Sequence, residues 1–233
     1  MRIILSFILA FSISMSGVMA QGFAYGVKGG LTLGIQKWNG YERSPLPRYN
    51  ASFFLESLPE EKRFSIFGEL GYHVKGSRVK SFYRVPNSTE IRRFTNDTEF
   101  RNVSLTAGVR SSYIISDVGM EAYYLLGLRG DYNIAYANDS GFLPFKDEDV
   151  NKFTYGFTFG GGLEIPVKEL MGITLELSVS PDIRPQVFFP AGKYQYYTST
   201  NSTPRDFGET KIINTVVELT IGFRFLRVVE YEE

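Results

Sequence analysis

The chain has 233 residues, contains no cysteine, and carries 25 Lys and Arg residues against 25 Asp and Glu residues. The absence of cysteine excludes a disulfide framework and a lipoprotein acylation site, and the balanced charge gives no reason to expect nucleic-acid binding. The length suits a single domain, and no run of about 18 apolar residues predicts a helix that spans a bilayer.

The first twenty residues have the pattern of a secretory signal peptide. An apolar run over residues 3–13 follows Arg2, and the small-residue stretch at residues 18–20 is typical of a cleavage site. The alternative of a membrane anchor is disfavoured because the run is too short to cross a bilayer. We therefore expect residues 1–20 to be removed and the chain to be exported.

Eight segments then alternate apolar and polar residues, each over about ten positions, the length that a membrane-spanning strand requires. The segments are residues 25–36, 49–56, 64–75, 102–113, 120–133, 153–165, 173–182 and 213–225. The gaps at 38–48, 76–99, 135–152 and 183–211 are long, whereas those at 58–63, 115–119 and 166–172 are short. Long extracellular loops and short periplasmic turns are typical of outer-membrane barrels. The sequence predicts an all-β, eight-stranded antiparallel up-and-down transmembrane barrel over residues 21–225 and a short periplasmic tail at residues 226–233.

Side-chain bulk indicates which face of the strands points outward. In the sixth segment Phe153, Phe157 and Phe159 share one face, and Gly156 and Gly160 share the other. The interior of an eight-stranded barrel is just wide enough for side chains, so the aromatic face must point outward. This disfavours a secreted lipocalin-like barrel with an apolar interior. Aromatic residues also cluster at both ends of the segments, as membrane-interface girdles do.

Three stretches carry a family resemblance: Gly-Val-Lys-Gly-Gly-Leu-Thr at residues 26–32, Gly-Gly-Gly-Leu-Glu-Ile-Pro at residues 160–166, and Ile-Gly-Phe-Arg-Phe at residues 221–225. In these the chain resembles the outer-membrane β-barrel proteins of Bacteroidota often called PorT-like. The resemblance covers nearly the whole mature chain and implies the barrel fold and the outer membrane as its location. Its motifs mark strand positions and not chemistry. Barrels of this type usually end on the terminal aromatic, whereas eight residues follow Phe225 here.

The polar face carries charged residues that we predict to form an ion-pair network in the lumen. They are Lys28, Glu69, Arg110, Glu121, Arg129, Asp131, Glu164, Glu176, Glu218 and Arg224. Charges in a confined lumen must be paired or hydrated, because an isolated buried charge costs several kcal/mol. We expect Lys28 and Arg110 to share Glu69, Glu176 and Glu218 at mid-depth. The pattern indicates a structural filling of the lumen, and a narrow channel or proton path is the alternative.

The single histidine, His73, is predicted to face inward near the outer rim, close to Asp131 and Asp182. Such a trio would suit acid–base catalysis at the barrel mouth, so a barrel-mouth enzyme is the third hypothesis. No serine or second histidine accompanies it in a recognisable motif, and its spacing selects no metal ion. The sequence therefore predicts no catalytic, cofactor or metal site.

Two of the long loops carry candidate contact residues. The basic set is Arg78, Lys80, Arg84, Arg92 and Arg93, and the aromatic set is Phe188, Phe189, Tyr194, Tyr196 and Tyr197. Arginine forks bind phosphate and carboxylate groups, which the lipopolysaccharide leaflet presents. The alternative is that the basic residues pair with an acidic loop of Asp139, Asp147, Glu148 and Asp149 across the barrel mouth.

The aromatic density suggests a contact surface, although the same residues would also suit a hairpin that extends strands seven and eight. The sequence thus favours a structural or interaction protein of the outer membrane. Its expected partners are outer-membrane lipid, lipopolysaccharide and an envelope protein of unknown identity.

Overall fold

The computed structural model describes residues 22–38, 43–58, 64–84, 89, 91–138, 149–198, 201–207 and 209–228. The expected signal peptide at residues 1–20 lies outside these ranges. No helix within them is long and apolar enough to cross a membrane. Their strands are β1 (Gly22–Lys37), β2 (Ser44–Ser57), β3 (Phe64–Arg84), β4 (Ile91–Ile114), β5 (Glu121–Asn138), β6 (Phe153–Lys168), β7 (Met171–Pro181), β8 (Val187–Phe189), β9 (Gly192–Thr198), β10 (Asn201–Phe207) and β11 (Thr210–Val228).

Eight of these strands close into a ring. Strands β1 to β7 pair in chain order, and β11 joins β7 to β1, with antiparallel pairing throughout. The prediction of an eight-stranded up-and-down barrel is therefore confirmed. Paired residues followed from Lys28 through β2, β3, β4 and β5 lead to Thr154 on β6. Followed in the other direction, through β11 and β7, they lead to Glu164 on β6. The ring therefore closes with an offset of ten residues. Such a stagger accompanies the strand tilt of about 35–45° that small barrels adopt.

The two faces of the ring differ as the alternation predicts. Large apolar side chains are exposed on the outer face of all eight strands, including Leu31, Leu105 and Leu219, while inward residues such as Thr32 are buried. Val74 departs from the pattern, because it is predicted to face outward yet is only 3% exposed. Val74 lies on β3 beside a bulge of β2, and residues 73–77 of β3 are all buried.

The short connections and the residues Gly22 and Val228 lie at one end of the barrel, here called the turn end; the opposite end is the loop end. At the loop end, β3 and β4 continue as a hairpin through most of the predicted loop 76–99. Strand β8 adds to β11, and β9 and β10 form a separate two-stranded sheet within the predicted loop 183–211. The apolar–polar alternation stops where the apolar outer face ends, but the backbone pairing continues beyond it. Alternation alone therefore underestimates the length of these strands.

At the turn end, β11 continues to Val228, which pairs with Gly22. The last barrel strand therefore extends three residues beyond Phe225, and only the end of the predicted tail at residues 229–233 falls outside the described residues.

Candidate functional site

The charged lumen residues lie in three layers, and the lower layer is the one nearest the turn end. Arg110 donates hydrogen bonds to Glu56 at 3.0 Å and to Glu164 at 2.6 Å. Arg224 donates to the same two carboxylates at 3.1 Å and 2.8 Å. The hydroxyl of Ser65 donates a further bond of 2.5 Å to Glu56. Two cations and two carboxylates thus balance each other.

The middle layer is centred on Lys28. Its Nζ lies 2.8 Å from Oε2 of Glu69 and 2.5 Å from Oε1 of Glu176, so one side chain from β1 links β3 to β7 across the lumen. The hydroxyl of Tyr123 donates to the other oxygen of Glu176 at 3.1 Å. One ammonium group faces two carboxylates here, which leaves this layer one charge negative.

The upper layer lies towards the loop end and is fully buried. Lys75 Nζ donates to Asp131 and to Asp182, each at 2.7 Å. Arg129 lies 3.1 Å from Asp131 and 3.4 Å from Asp182. Each of these carboxylates therefore contacts both cations, and desolvation is offset by reciprocal pairing.

His73 completes the upper layer. Its Nδ1 lies 3.4 Å from Oε1 of Glu218, and its Nε2 lies 3.2 Å from Oδ1 of Asp131. Asp182 is instead directed at Lys75 and Arg129. His73 is buried, at 3% exposure.

Depth within the barrel explains which predicted residues meet. The lower residues Arg110, Glu164 and Arg224 each lie four positions from the turn end of their strand, at Ile114, Lys168 and Val228. Glu69 and Glu176 lie five positions from Phe64 and Met171, whereas Glu218 lies ten from Val228. The structure therefore corrects two predictions: Arg110 does not share the carboxylates of Lys28, and Glu218 pairs with His73.

Glu121 forms no ion pair with any described residue, although it was predicted in the network. Conversely, Glu56 and Lys75 belong to the layers but were not among the predicted network residues. The signal for both was present, because each occupies an inward position of the alternation. Glu56 and Lys75 each lie at the end of a predicted segment.

Apolar side chains fill the lumen between the lower and middle layers. Phe67, Tyr123 and Leu125 form a buried cluster, and Phe54 is buried nearby. Each faces a glycine on the neighbouring strand: Phe54 pairs with Gly26, Phe67 with Gly108, Tyr123 with Gly162 and Leu125 with Gly160. A bulky inward residue thus takes the room that the paired glycine leaves.

Two small cavities lie in the described lumen beside the middle layer, each about 20 Å³, which is room for a water molecule. Both are lined by Lys28, Glu69 and Glu176; one extends towards His73 and the other towards Arg110. The middle layer therefore separates them.

An apolar cluster lies at the loop end beyond the upper layer, and we call it the lid. It consists of Trp38, Phe100, Val150, Val187 and Ile212, all buried, with Tyr136 packed against it. The lid was not predicted, because Trp38, Val150 and Val187 fall in predicted loops and their burial depends on long-range packing.

Hydrogen bonds join the lid to the upper layer. The indole of Trp38 donates to Gln36 at 3.0 Å, and Gln36 donates to Asn214 at 2.8 Å. Asn214 in turn donates to Asp182 at 3.2 Å. The lid, the amide groups and the ion pairs therefore form one connected structure.

On the outer face, beyond the Tyr49 and Tyr72 ring pair, lies a group of charged residues that we call the rim patch: Arg48, Arg78, Asp97, Glu99 and Arg101. Arg78 holds Asp97 with two hydrogen bonds of 2.7 and 2.9 Å. Arg48 donates to Asp97 at 3.0 Å and to Glu99 at 2.7 Å. Hydrogen bonds from Arg78 lower the pKa of Asp97 below its usual range.

The described partner of Arg78 is Asp97 of its own hairpin. Asp139, Asp147 and Glu148 of the predicted acidic loop lie outside the described residues, so a pairing with that loop stays a prediction. The side chains of Lys80, Arg84, Arg92 and Arg93 are likewise not described, although their backbone belongs to β3 and β4. Arg48 was missed because its contacts depend on the bulge between Pro45 and Asn50.

Of the aromatic set, Phe188 is exposed, and Lys211 Nζ lies 5.6 Å from its ring centroid. The backbone of Phe189 belongs to β8, and that of Tyr194, Tyr196 and Tyr197 to β9. The side chains of these four lie outside the described part of the chain. The candidate contacts are therefore divided between β8 and a separate hairpin.

The chain is similar to solved structures of other proteins at low sequence identity. No family model matches the sequence, and no curated protein matches it. Ail of Yersinia pestis is similar over 88% of this chain and 99% of its own, with 16% identity and a TM-score of 0.40. Neisserial surface protein A is similar over 87% and 97%, with 12% identity and a TM-score of 0.46. OprG of Pseudomonas aeruginosa is similar over 88% and 97%, with 8% identity and a TM-score of 0.48.

Proposed function

We propose that this chain is an outer-membrane β-barrel with a filled lumen that acts as a structural or interaction protein of the envelope. The observation that carries the proposal is the contrast between an apolar outer face and an interior of buried ion pairs. In water such an outer face would exceed the few hundred Å² of apolar patch that soluble monomers tolerate, whereas lipid accommodates it. The Tyr25 and Phe225 rings at the turn end, and the Tyr49 and Tyr72 rings at the loop end, suit the two membrane interfaces.

Three ion-pair layers and the lid cross the described lumen, which favours a structural role over a narrow channel. Conduction would require the pairs of Lys28, Lys75 and Arg110 to separate. Leaving one partner of a buried pair alone costs about 3–5 kcal/mol, so the filled state is strongly preferred. Burial of His73 also argues against a barrel-mouth enzyme.

The hairpins beyond the ring support an interaction role. We place the loop end outside the cell, the turn end in the periplasm, and residues 1–20 as the cleaved signal peptide. Lipopolysaccharide and an unidentified envelope protein are the proposed partners, the second at the β9–β10 hairpin with its three tyrosines. The sequence stretches at residues 26–32, 160–166 and 221–225 are the basis for proposing a PorT-like barrel of Bacteroidota.

The test is removal of the β9–β10 hairpin at residues 192–207. Phe189 pairs with Thr210, so a short turn can reconnect the chain without disturbing the lid. We expect heat-modifiable gel mobility and melting to be unchanged, and proteins cross-linked to the full-length barrel in native membranes to be lost. A deletion of residues 139–148 is the control. If the hairpin deletion keeps every cross-linked protein, the hairpin is not the contact surface; if the barrel no longer folds, the hairpin is structural.

A further inference from the structure

The apolar outer face is much shorter on β2 and β3 than on the strands across the ring. Outward apolar side chains run over residues 49–55 on β2 and 64–72 on β3, but over 153–167 on β6 and 171–183 on β7. At a strand tilt of about 40° each residue adds roughly 2.5 Å of height, so these bands are about 15, 20, 35 and 30 Å tall. Outer-membrane barrels carry an apolar band about 25 Å tall, so β2 and β3 fall short of it.

A tilt of the whole barrel does not explain this difference. Tilting raises the apolar band on one side of the ring and lowers it on the opposite side, but it leaves the height of each band unchanged. The strands β6 and β7 lie across the ring from β2 and β3, and their bands are taller. The barrel therefore has one side with a short apolar band, formed by β2 and β3, which we call the short face.

The strand register shows which positions on β3 and β6 have the same height. Paired residues lead from Gly71 on β3 through β4 and β5 to Thr154 on β6. Because the ring of eight strands closes with an offset of ten residues, each step between strands climbs towards the loop end by a little more than one residue. Three steps climb by about four residues, which places Gly71 level with Thr158 and Tyr72 level with Phe157.

Aromatic pairs at the loop end lie at two different heights. The short face carries Tyr49 and Tyr72, whose ring centroids are 6.4 Å apart, and β6 carries Phe153 and Tyr155, at 6.5 Å. Since Tyr72 is level with Phe157, the pair on β6 lies two to four residues nearer the loop end, which is roughly 5–10 Å higher. Tyrosine rings favour the boundary between hydrocarbon and headgroups. The two pairs therefore suit a boundary that is lower beside the short face.

The rim patch limits the short face at the loop end. Arg48 directly precedes Tyr49, and its side chain is 25% exposed. The side chain of Arg101 is 50% exposed, and Arg101 pairs with Val74, two residues beyond Tyr72. Charged side chains on the lipid-facing surface destabilise a barrel when they enter hydrocarbon. Lipid chains therefore do not extend over these groups, and the headgroups must descend to the two tyrosines.

We propose that the short face holds the surrounding membrane in a locally thinned state, with the outer-leaflet headgroups lowered to Tyr49 and Tyr72. The inference rests on the proposed membrane placement of the barrel. The partner of this face is the lipid bilayer itself, which thins beside a protein whose apolar band is shorter than the hydrocarbon. Because the bands of β6 and β7 are tall, the barrel deforms the lipid on one side only.

The experiment measures depth with nitroxide spin labels on single cysteines, which is direct because the chain contains no cysteine of its own. Leu70→Cys on the short face and Phe159→Cys on β6 are compared, since both positions are exposed and the same register count makes them level. Leu177→Cys on β7 is the matched control, because Leu177 pairs with Gly161 and so lies within about one residue of the height of Phe159. Collisions of each label with oxygen and with a water-soluble nickel chelate, in lipid vesicles, report its distance from the local headgroups.

We expect the label at Leu70 to lie about 5 Å or more nearer the headgroups than the label at Phe159, and the labels at Phe159 and Leu177 to agree within about 2 Å. Equal depths at Leu70 and Phe159 would overturn the inference, because the bilayer would then be flat around the barrel. A label at Leu70 that neither reagent reaches would also overturn it, since a second copy of the chain would then cover the short face. A barrel that does not insert into the vesicles would overturn the proposed function, whereas one that inserts with equal depths would overturn only this inference.

Discussion

Tyr123 on β5 lies opposite Gly162 on β6, and a methyl group on Gly162 would come within 2.6 Å of the tyrosine hydroxyl oxygen. The same hydroxyl donates to Glu176 of the middle layer. The glycine therefore makes room for the side chain that joins the apolar filling to the ion pairs. Phe54 has the same relationship to Gly26, where an added methyl group would lie 2.6 Å from the phenyl ring.

The first prediction concerns this glycine. Gly162→Ala should lower the free energy of unfolding by about 1–3 kcal/mol, because the methyl group forces Tyr123 or the adjacent backbone to move. Urea unfolding in lipid vesicles measures the change. Gly68→Ala is the control, since a methyl group there meets nothing within 4 Å and the change should stay within about 0.5 kcal/mol. Equal effects would mean that the lumen is not tightly filled.

The second prediction concerns Lys28. Lys28→Met leaves Glu69 and Glu176 without their cation and should cost about 3 kcal/mol or more in the same titration. Adding Glu69→Gln and Glu176→Gln should recover most of the loss, because the uncompensated charges are then gone.

Glu121→Gln is the control for Lys28, because Glu121 has no ion pair with a described residue and its loss should change stability by less than about 0.5 kcal/mol. If the triple variant is no more stable than Lys28→Met alone, the middle layer does not hold as an ion-pair unit.

Much of this barrel could be predicted from the sequence, because an alternation with a period of two shows directly which residues share a face. The apolar and polar faces around Phe157 and Thr158, for example, follow from alternation and bulk. Depth could not be predicted as well, because it depends on where each strand ends. The last strand, β11, ends at Val228 and not at Phe225 as predicted. Glu218 therefore lies in the upper layer with His73 and not at mid-depth.

The lid and the rim patch could not be predicted from one sequence, for a different reason. Trp38 and Val187 are far apart in the chain and carry no periodic signal, so only the closed ring brings them together. Arg48 occupies an inward position by simple alternation, and the bulge before Asn50 redirects it to Asp97 and Glu99. A bulge shifts the alternation by one residue, and the composition around it gives no unambiguous sign of its position.

A third prediction tests the outward face. Leu219→Arg should lower stability in lipid by about 2–4 kcal/mol, because the guanidinium would enter the hydrocarbon. Thr220→Asn, at the next position but facing the lumen cavity, should cost much less. Bilayer refolding at a series of urea concentrations compares the two. Similar costs would contradict the assignment of faces.

A fourth prediction concerns pH at the rim patch. The pKa of Asp97 is lower in the folded chain than its usual value, so its pairs with Arg78 and Arg48 stabilise the fold above about pH 4. This stabilisation is lost as the pH falls through the folded pKa. The melting temperature of Asp97→Asn should therefore lie below that of the unaltered barrel by a constant amount from pH 5 to 8, and the gap should close below pH 4. A gap that persists at pH 2 would contradict this explanation.

The central claim is a membrane-spanning barrel whose lumen is filled, and planar-bilayer conductance tests it most directly. The protein is reconstituted from vesicles in which heat-modifiable mobility has shown the folded barrel. We expect no stepwise current above the leak of protein-free bilayers at any voltage that the bilayer withstands, because the pairs of Lys28, Lys75 and Arg110 and the lid cross the lumen. Regular current steps that scale linearly with voltage would contradict the account, since an open aqueous path would then pass through these layers.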